Sequence, residues 1–234
     1  LYPGWEQVAA RMAEGGALAN IVTNGWLAGD EQIDQIKRAK LGNVAISIDG
    51  MEENHNRIRN NPKSFQRVIS ALDRYAKEDI PVSVVTSLLD FSYYDLEEMY
   101  RFLVDREISV WQIQIVTGMG NIAGKKNMLL KPDKIPLLTK FIRDKRAEGN
   151  ILVLAADDIG YFDENELHLR SYPGEITVWD GCQAGLYVVG IDSIGNVKGC
   201  ESLYDDRFIE GNLRQESLKE IWTKEGNFAY NRQF

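Results

Sequence analysis

Polar residues of the kinds that grip small molecules recur where short apolar runs end. Thr23-Asn24-Gly25 closes a run at 19–23, Ser47-Ile48-Asp49-Gly50 closes one at 44–48, and Thr86-Ser87 lies at the end of 82–88. Gln112-Ile113-Gln114 and Thr117-Gly118-Met119-Gly120 belong to and follow the run at 110–116, and Asp157-Asp158 follows 151–155. If the runs are strands, a period of two puts Val44, Ile46 and Ile48 on one face and Ala45, Ser47 and Asp49 on the other. The same alternation turns Gln112 and Gln114 inward, an expensive choice for a core unless something polar is bound there. Asp157 and Asp158 are candidates for accepting a substrate proton or recognising a basic group, while an exposed acidic loop is the commoner fate of such a pair.

Other chemistries are disfavoured. His55 and His168 are the only histidines and stand far apart, which argues against a His-based zinc site or a Ser-His-Asp triad. The glycines of 118–124 miss the third position of a dinucleotide loop by one, and no phosphate-loop lysine follows a strand. Cys182 and Cys200 are the only cysteines, too few for the disulfide framework of a small secreted protein and in keeping with a reducing compartment. By themselves they read as buried free thiols or, less favourably, a disulfide.

The elements that must position these residues alternate. Helical spacing over 5–14 is followed by the strand 19–23; helix 30–39 by strand 44–48; helix 64–77 by strand 82–88; helix 95–106 by strand 110–116; and helix 131–148 by strand 151–155. Asp30 and Ser64 are the expected N-caps of their helices. This succession predicts an α/β fold with a mainly parallel sheet wound right-handedly, whose ligand lies beyond the carboxyl ends of the strands. From 156 the texture becomes loop-rich; then come a hairpin from 186–191 and 196–199 and a short helix over 217–223. The expected organisation is 1–156, a linker at 157–180, and a small domain at 181–234.

With 234 residues, 44% apolar and 26% charged, the chain has enough apolar material for a core of this size. No apolar run approaches the length needed to cross a bilayer, and the start has no signal-peptide pattern, so the reading is cytoplasmic with no membrane partner. The net charge of −8, without a basic stripe, makes nucleic acid a poor partner.

Together, Thr23-Asn24-Gly25, Ser47-Ile48-Asp49-Gly50 and His55-Asn56-Arg57-Ile58-Arg59 resemble the middle of a radical S-adenosylmethionine (SAM) enzyme barrel. The tail carries a second likeness. Gly181-Cys182-Gln183-Ala184-Gly185, with Gly195 and Cys200 beyond it, resembles the opening of a SPASM domain, the auxiliary iron–sulfur module of many peptide-modifying radical SAM enzymes. Glu210-Gly211-Asn212-Leu213 and Ser217-Leu218-Lys219-Glu220-Ile221-Trp222 are similar to the stretch that follows in that module.

The resemblance implies a partial (β/α) barrel of parallel strands followed by a hairpin-plus-helix appendage. Its cofactors would be SAM and [4Fe–4S] clusters, and its partner a peptide or protein substrate. It further implies that the cluster-binding cysteine triplet, the Gly-Gly-Glu-Pro strand end and the barrel's first two strands precede Leu1, that further cysteines follow Phe234, and that the present chain alone is inactive. It places Ser47 and Asp49 near the SAM ribose, Arg59 near its carboxylate, and Asn24 and the loop 117–121, Gly118 included, along the SAM and adenine side of the pocket, with Cys182 and Cys200 as ligands of an auxiliary cluster; the inward-facing Gln114 is a further candidate for cofactor binding. A non-catalytic partner-binding protein that keeps the barrel shell is the alternative. An aldolase-like barrel is disfavoured because no strand offers a Schiff-base lysine. The first strand is expected to leave an open edge through which copies associate.

Overall fold

The computed structural model describes residues 3–156, 159, 163–172, 174–175, 177 and 180–233. Asp157 and Asp158, the expected proton-handling pair, lie outside the described residues. The chain forms two compact units, one mainly of 3–118 and 122–178, the other mainly of 119–121 and 179–234.

In the first unit the order is α1 (Trp5–Glu14), β1 (Asn20–Thr23), α2 (Asp30–Ala39), β2 (Asn43–Ser47), α3 (Glu52–Arg59), α4 (Ser64–Lys77), β3 (Val82–Leu88), α5 (Leu96–Val104), β4 (Val110–Ile115), α6 (Ile135–Glu148) and β5 (Leu152–Ala155). All five strands are parallel and lie in the order β1-β2-β3-β4-β5, each beside its successor in sequence, as the alternation predicts.

The sheet is two-faced because its strands are. Val44, Ile46, Ile48, Val84, Leu88, Trp111, Ile113 and Val153 are at most 1% exposed and form the core with the helices. Helix α4 answers them with Phe65, Val68, Ala71, Leu72 and Tyr75, apolar at the three- and four-residue steps that make one stripe. Thr86 is the polar exception on this buried face. Its Oγ1 donates to the Ile48 carbonyl at 2.6 Å and accepts from Trp111 Nε1 at 2.8 Å, so neither partner is buried unpaired.

Three local expectations need correction. Residues 52–59, outside every expected helix and strand, form helix α3. Ser64 begins α4 but does not cap it: Lys63 occupies the cap position and the Ser64 hydroxyl faces His55 instead. Asp30 is the first residue of α2 and Gly29 its cap, with the Gln32 side chain reaching back to the Gly29 amide.

The second unit contains β6 (Gly190–Ile191), β7 (Asn196–Lys198) and β8 (Gly211–Asn212) in an antiparallel sheet, then α7 (Leu218–Thr223) and α8 (Ala229–Arg232). The expected hairpin is present but shorter, and β8 adds a third strand to it. Ser217 caps α7 in a reciprocal pair with Glu220. The unit's core is Val197, Ile221 and Phe228, all fully buried, with Val189 and Trp222 packed on it. Among the described residues no helix is long and apolar enough to cross a membrane.

Candidate cofactor-binding site

The face of the sheet opposite the helices carries the polar residues. Ser47 lies in register with Val85, Val85 with Gln112, and Ser87 with Gln114, and all five are half-buried. Immediately beyond β2 the chain delivers Asp49, whose side chain is 1% exposed. One carboxylate oxygen accepts the Ser87 amide of β3 at 3.1 Å, and the other accepts Arg59 Nε at 2.6 Å. Asp49 therefore ties the ends of two strands to the last turn of α3. Its ion pair occupies only Nε of Arg59, and the arginine side chain is 32% exposed, so the donors at the far end of the guanidinium can still meet a ligand carboxylate.

Helix α3 is polar on nearly every side, and His55 is its only buried residue. The His55 ring is 1% exposed: Nδ1 accepts the Asp49 amide at 3.1 Å, and Nε2 lies 3.0 Å from Ser64 Oγ. Because Nδ1 accepts, the proton sits on Nε2 and is donated to Ser64. The helix start is held from a distance. Asp95 accepts the Met51 amide at 2.8 Å and both of its oxygens accept from Asn54 Nδ2, at 3.0 and 2.9 Å. Gly50 makes this approach possible, since a Cβ there would lie 2.7 Å from the Asp95 carboxylate and 2.9 Å from Asn54 Cβ.

Burial pushes the His55 imidazole down to about 4; the Asp49 charge opposes this and Arg59 adds to it. In the unfolded chain the ring titrates near 6.5. Between these values the unfolded state binds more protons, so stability is full above pH 6.5 and declines as pH falls toward 4, by about 3 kcal/mol in total. Urea unfolding at pH 7 and at pH 4.5 should show this loss in the native protein and a flatter profile in His55→Asn, whose amide can still accept the Asp49 N–H. An unchanged profile in the variant would contradict the assignment.

The other expected site residues are placed differently. Asn24 is exposed, and its Oδ1 accepts the Trp26 amide at 3.1 Å in a local turn. Gly118 is exposed in the loop after β4. Two cavities of about 310 and 330 Å³ are lined in part by α4, and none of Ser47, Asp49, Arg59, Gln112 or Gln114 lines either of them.

In the second unit, Cys182 is exposed and Cys200 half-buried, and both are free thiols. Their segments touch: a Cβ on Gly199 would lie 2.9 Å from the Gly185 amide nitrogen and 3.0 Å from the Ala184 carbonyl carbon. Burial raises the Tyr230 phenol, with Glu210 and then both cysteines adding to the rise, so the two sulfurs lie within electrostatic reach of one hydroxyl. Two thiols on touching segments would supply two of the four thiolates that hold an iron–sulfur cluster. Among the described residues no group of three or more His, Cys, Asp or Glu assembles into a metal site.

Comparison with known proteins agrees with both halves of this arrangement. Residues 1–103 match the radical SAM superfamily and residues 182–233 match an iron–sulfur cluster-binding domain, SPASM. An AdoMet-dependent heme synthase of Methanosarcina barkeri is 23% identical over 92% of this chain and 63% of its own length. A serine-type anaerobic sulfatase-maturating enzyme of Bacteroides thetaiotaomicron is also 23% identical, over 94% of this chain and 56% of its own. The chain thus spans a little over half the length of the curated relatives it matches. In three dimensions it resembles Streptococcus suis SuiB bound to the precursor peptide SuiA, with a TM-score of 0.75 and 13% identity over 98% of this chain and 53% of that one. The two domains imply SAM and [4Fe–4S] clusters as cofactors. A parallel sheet followed by a cysteine-bearing antiparallel unit is the order in which the radical SAM match at 1–103 and the SPASM match at 182–233 fall along the chain.

Proposed function

We propose that the chain is part of a radical SAM/SPASM maturase, an oxidoreductase that in its full-length form abstracts hydrogen from a peptide or protein side chain. The observation that carries this reading is the Asp49–Arg59 pair, which places a partly exposed guanidinium beside the polar face of a parallel sheet. SuiB, solved with its precursor peptide, and the sulfatase-maturating relatives support the peptide or protein substrate class. When bound, SAM with a reduced [4Fe–4S] cluster would supply the radical chemistry that abstracts hydrogen.

The protein residues bind and orient. Arg59 pairs with the SAM carboxylate through the nitrogens Asp49 does not use. Ser47 bonds the ribose from the polar face, with Asp49 beside it mainly holding Arg59. Asn24 and the loop at Gly118 line the SAM and adenine side, Gln114 is a further cofactor contact, and Asp157 or Asp158 accepts a substrate proton or recognises a basic peptide residue. Cys182 and Cys200 serve an auxiliary cluster in the second unit.

The test is anaerobic reconstitution of a full-length protein containing this chain, followed by assay of 5′-deoxyadenosine with and without candidate peptides. Arg59→Lys, which keeps the charge and loses the fork, should weaken SAM binding by about 10- to 100-fold, equivalent to 1.4–2.8 kcal/mol. Unimpaired binding in the variant would remove Arg59 from the site, and failure to cleave SAM in the native protein would overturn the function.

The outer edge of β1 is part of the same proposal. Within the sheet of described residues β1 pairs only with β2, and Val22 is 62% exposed. An unpaired strand edge is a template for a second copy. Light scattering on the isolated chain should show concentration-dependent association that Val22→Lys reduces; a monodisperse monomer would refute it.

A further inference from the structure

The cysteines of the second unit are held by something other than a metal. Three consecutive side chains of the short helix α8 reach the two segments that carry them. Tyr230 Oη accepts the Gly199 amide, one residue before Cys200, at 3.1 Å. Asn231 Nδ2 donates to the carbonyl of Cys182 itself at 3.0 Å and to that of Ala184 at 2.8 Å. Arg232 Nε donates to the Gly185 carbonyl at 2.7 Å, while its Nη1 donates to the Trp222 carbonyl at 2.6 Å and anchors the group to the end of α7.

The bonds act on the main chain on both sides of the cysteine pair, so they fix where the two Cα atoms sit and leave both sulfurs available. The clamp is itself supported. The Tyr230 ring packs edge-on against Phe208 with centroids 5.4 Å apart, and the Arg232 guanidinium lies 4.3 Å from the Trp222 ring centroid and 4.5 Å from that of Phe228. The close packing of Gly199 on Ala184 and Gly185 is what a clamp on both segments would enforce, and a side chain at 199 would meet the Tyr230 hydroxyl.

We propose that Tyr230, Asn231 and Arg232 are positioning residues that hold Cys182 and Cys200 as a preformed two-thiol half-site for a thiophilic metal or iron–sulfur cluster. This rests on the assignment of these cysteines as ligands and goes beyond it, because the half-site exists before the metal arrives. A ligand pair fixed in advance loses less conformational freedom on binding, and residues that orient metal ligands from behind alter affinity by about 10- to 100-fold when removed.

The test uses the whole chain, reduced and anaerobic, titrated with Cd²⁺ alone and read by thiolate-to-metal absorption in the ultraviolet and by protection of both thiols from a disulfide reagent. One Cd²⁺ should engage both cysteines. Tyr230→Phe, which removes one hydroxyl and keeps the ring, and Asn231→Ala should each weaken binding about tenfold or more. Asn227→Ala is the control, since Asn227 bonds the Glu210 and Ile221 carbonyls and neither cysteine segment. Below its melting temperature it should bind Cd²⁺ like the native chain.

Equal weakening in all three variants would show a general loss of folding and overturn the clamp. So would unchanged affinity in Tyr230→Phe and Asn231→Ala, or protection of only one thiol. No SAM enters the assay, so a protein that fails to make 5′-deoxyadenosine can still show the half-site, and the converse holds as well.

Discussion

Replacing Asp49 by Ala should lower the stability of the first unit by about 3 kcal/mol and reduce SAM binding as much as loss of Arg59 does. The stability term follows from burial. The carboxylate is almost fully enclosed and balanced by one guanidinium and one backbone amide, and removing one member of such a pair costs about 3–5 kcal/mol. The lower end applies because Arg59 is partly exposed and recovers some hydration. The binding term follows from connectivity: without its partner, Arg59 at the end of α3 is no longer aimed. If Asp49 acts through Arg59, the double variant should bind SAM no worse than either single one, a non-additivity that a direct ribose contact would not produce. Denaturant titration and equilibrium SAM binding on the four proteins decide it, and additive losses would return Asp49 to the ligand.

Gly185→Ala should unfold the second unit while leaving the first intact. Gly185 has φ +76°, where a side chain is strained, and a Cβ there would lie 2.5 Å from Phe228 Cβ and 2.7 Å from its Cγ. Left-handed strain of about 1–2 kcal/mol adds to about 1–3 kcal/mol for overpacking. A core of three fully buried side chains has little in reserve against that sum. The main core of the first unit contains no residue of the second. Thermal unfolding followed through the reactivity of the half-buried Cys200 should therefore shift sharply downward while the transition of the first unit stays in place. A variant whose Cys200 stays as slow to react as in the native protein would count against this.

The sheet and its two faces were legible because a strand's period of two is written directly into Val44-Ala45-Ile46-Ser47-Ile48 and Trp111-Gln112-Ile113-Gln114. Helix α3 was not legible, for a physical reason. It has one buried side chain, no apolar stripe, and an N-terminus completed by Asp95, more than forty residues away. Its existence depends on tertiary bonds, which propensity and spacing do not encode. For the same reason the Ser64 hydroxyl was assigned to a cap when a buried histidine had the stronger claim on it. The motif itself held a usable hint: in Asp49-Gly50-Met51-Glu52-Glu53-Asn54-His55, an imidazole six residues after the aspartate can turn back to that residue's amide once a helical turn intervenes. Helix α8 has four residues and lies below any periodicity signal, so the support behind the cysteines was invisible until the backbone was seen.

The order β1-β2-β3-β4-β5 has a bearing on how the protein is made. Every ladder joins one strand to the next along the chain, so no pairing waits for a distant segment to be synthesised. Each step closes a loop of only a few tens of residues, and loop entropy rises slowly with length. The barrel wall can thus grow by accretion as the polypeptide leaves the ribosome, each new strand docking on a template already in place. The growing rim, like the outer edge of β1, stays vulnerable during synthesis, and its protection passes forward with every helix added.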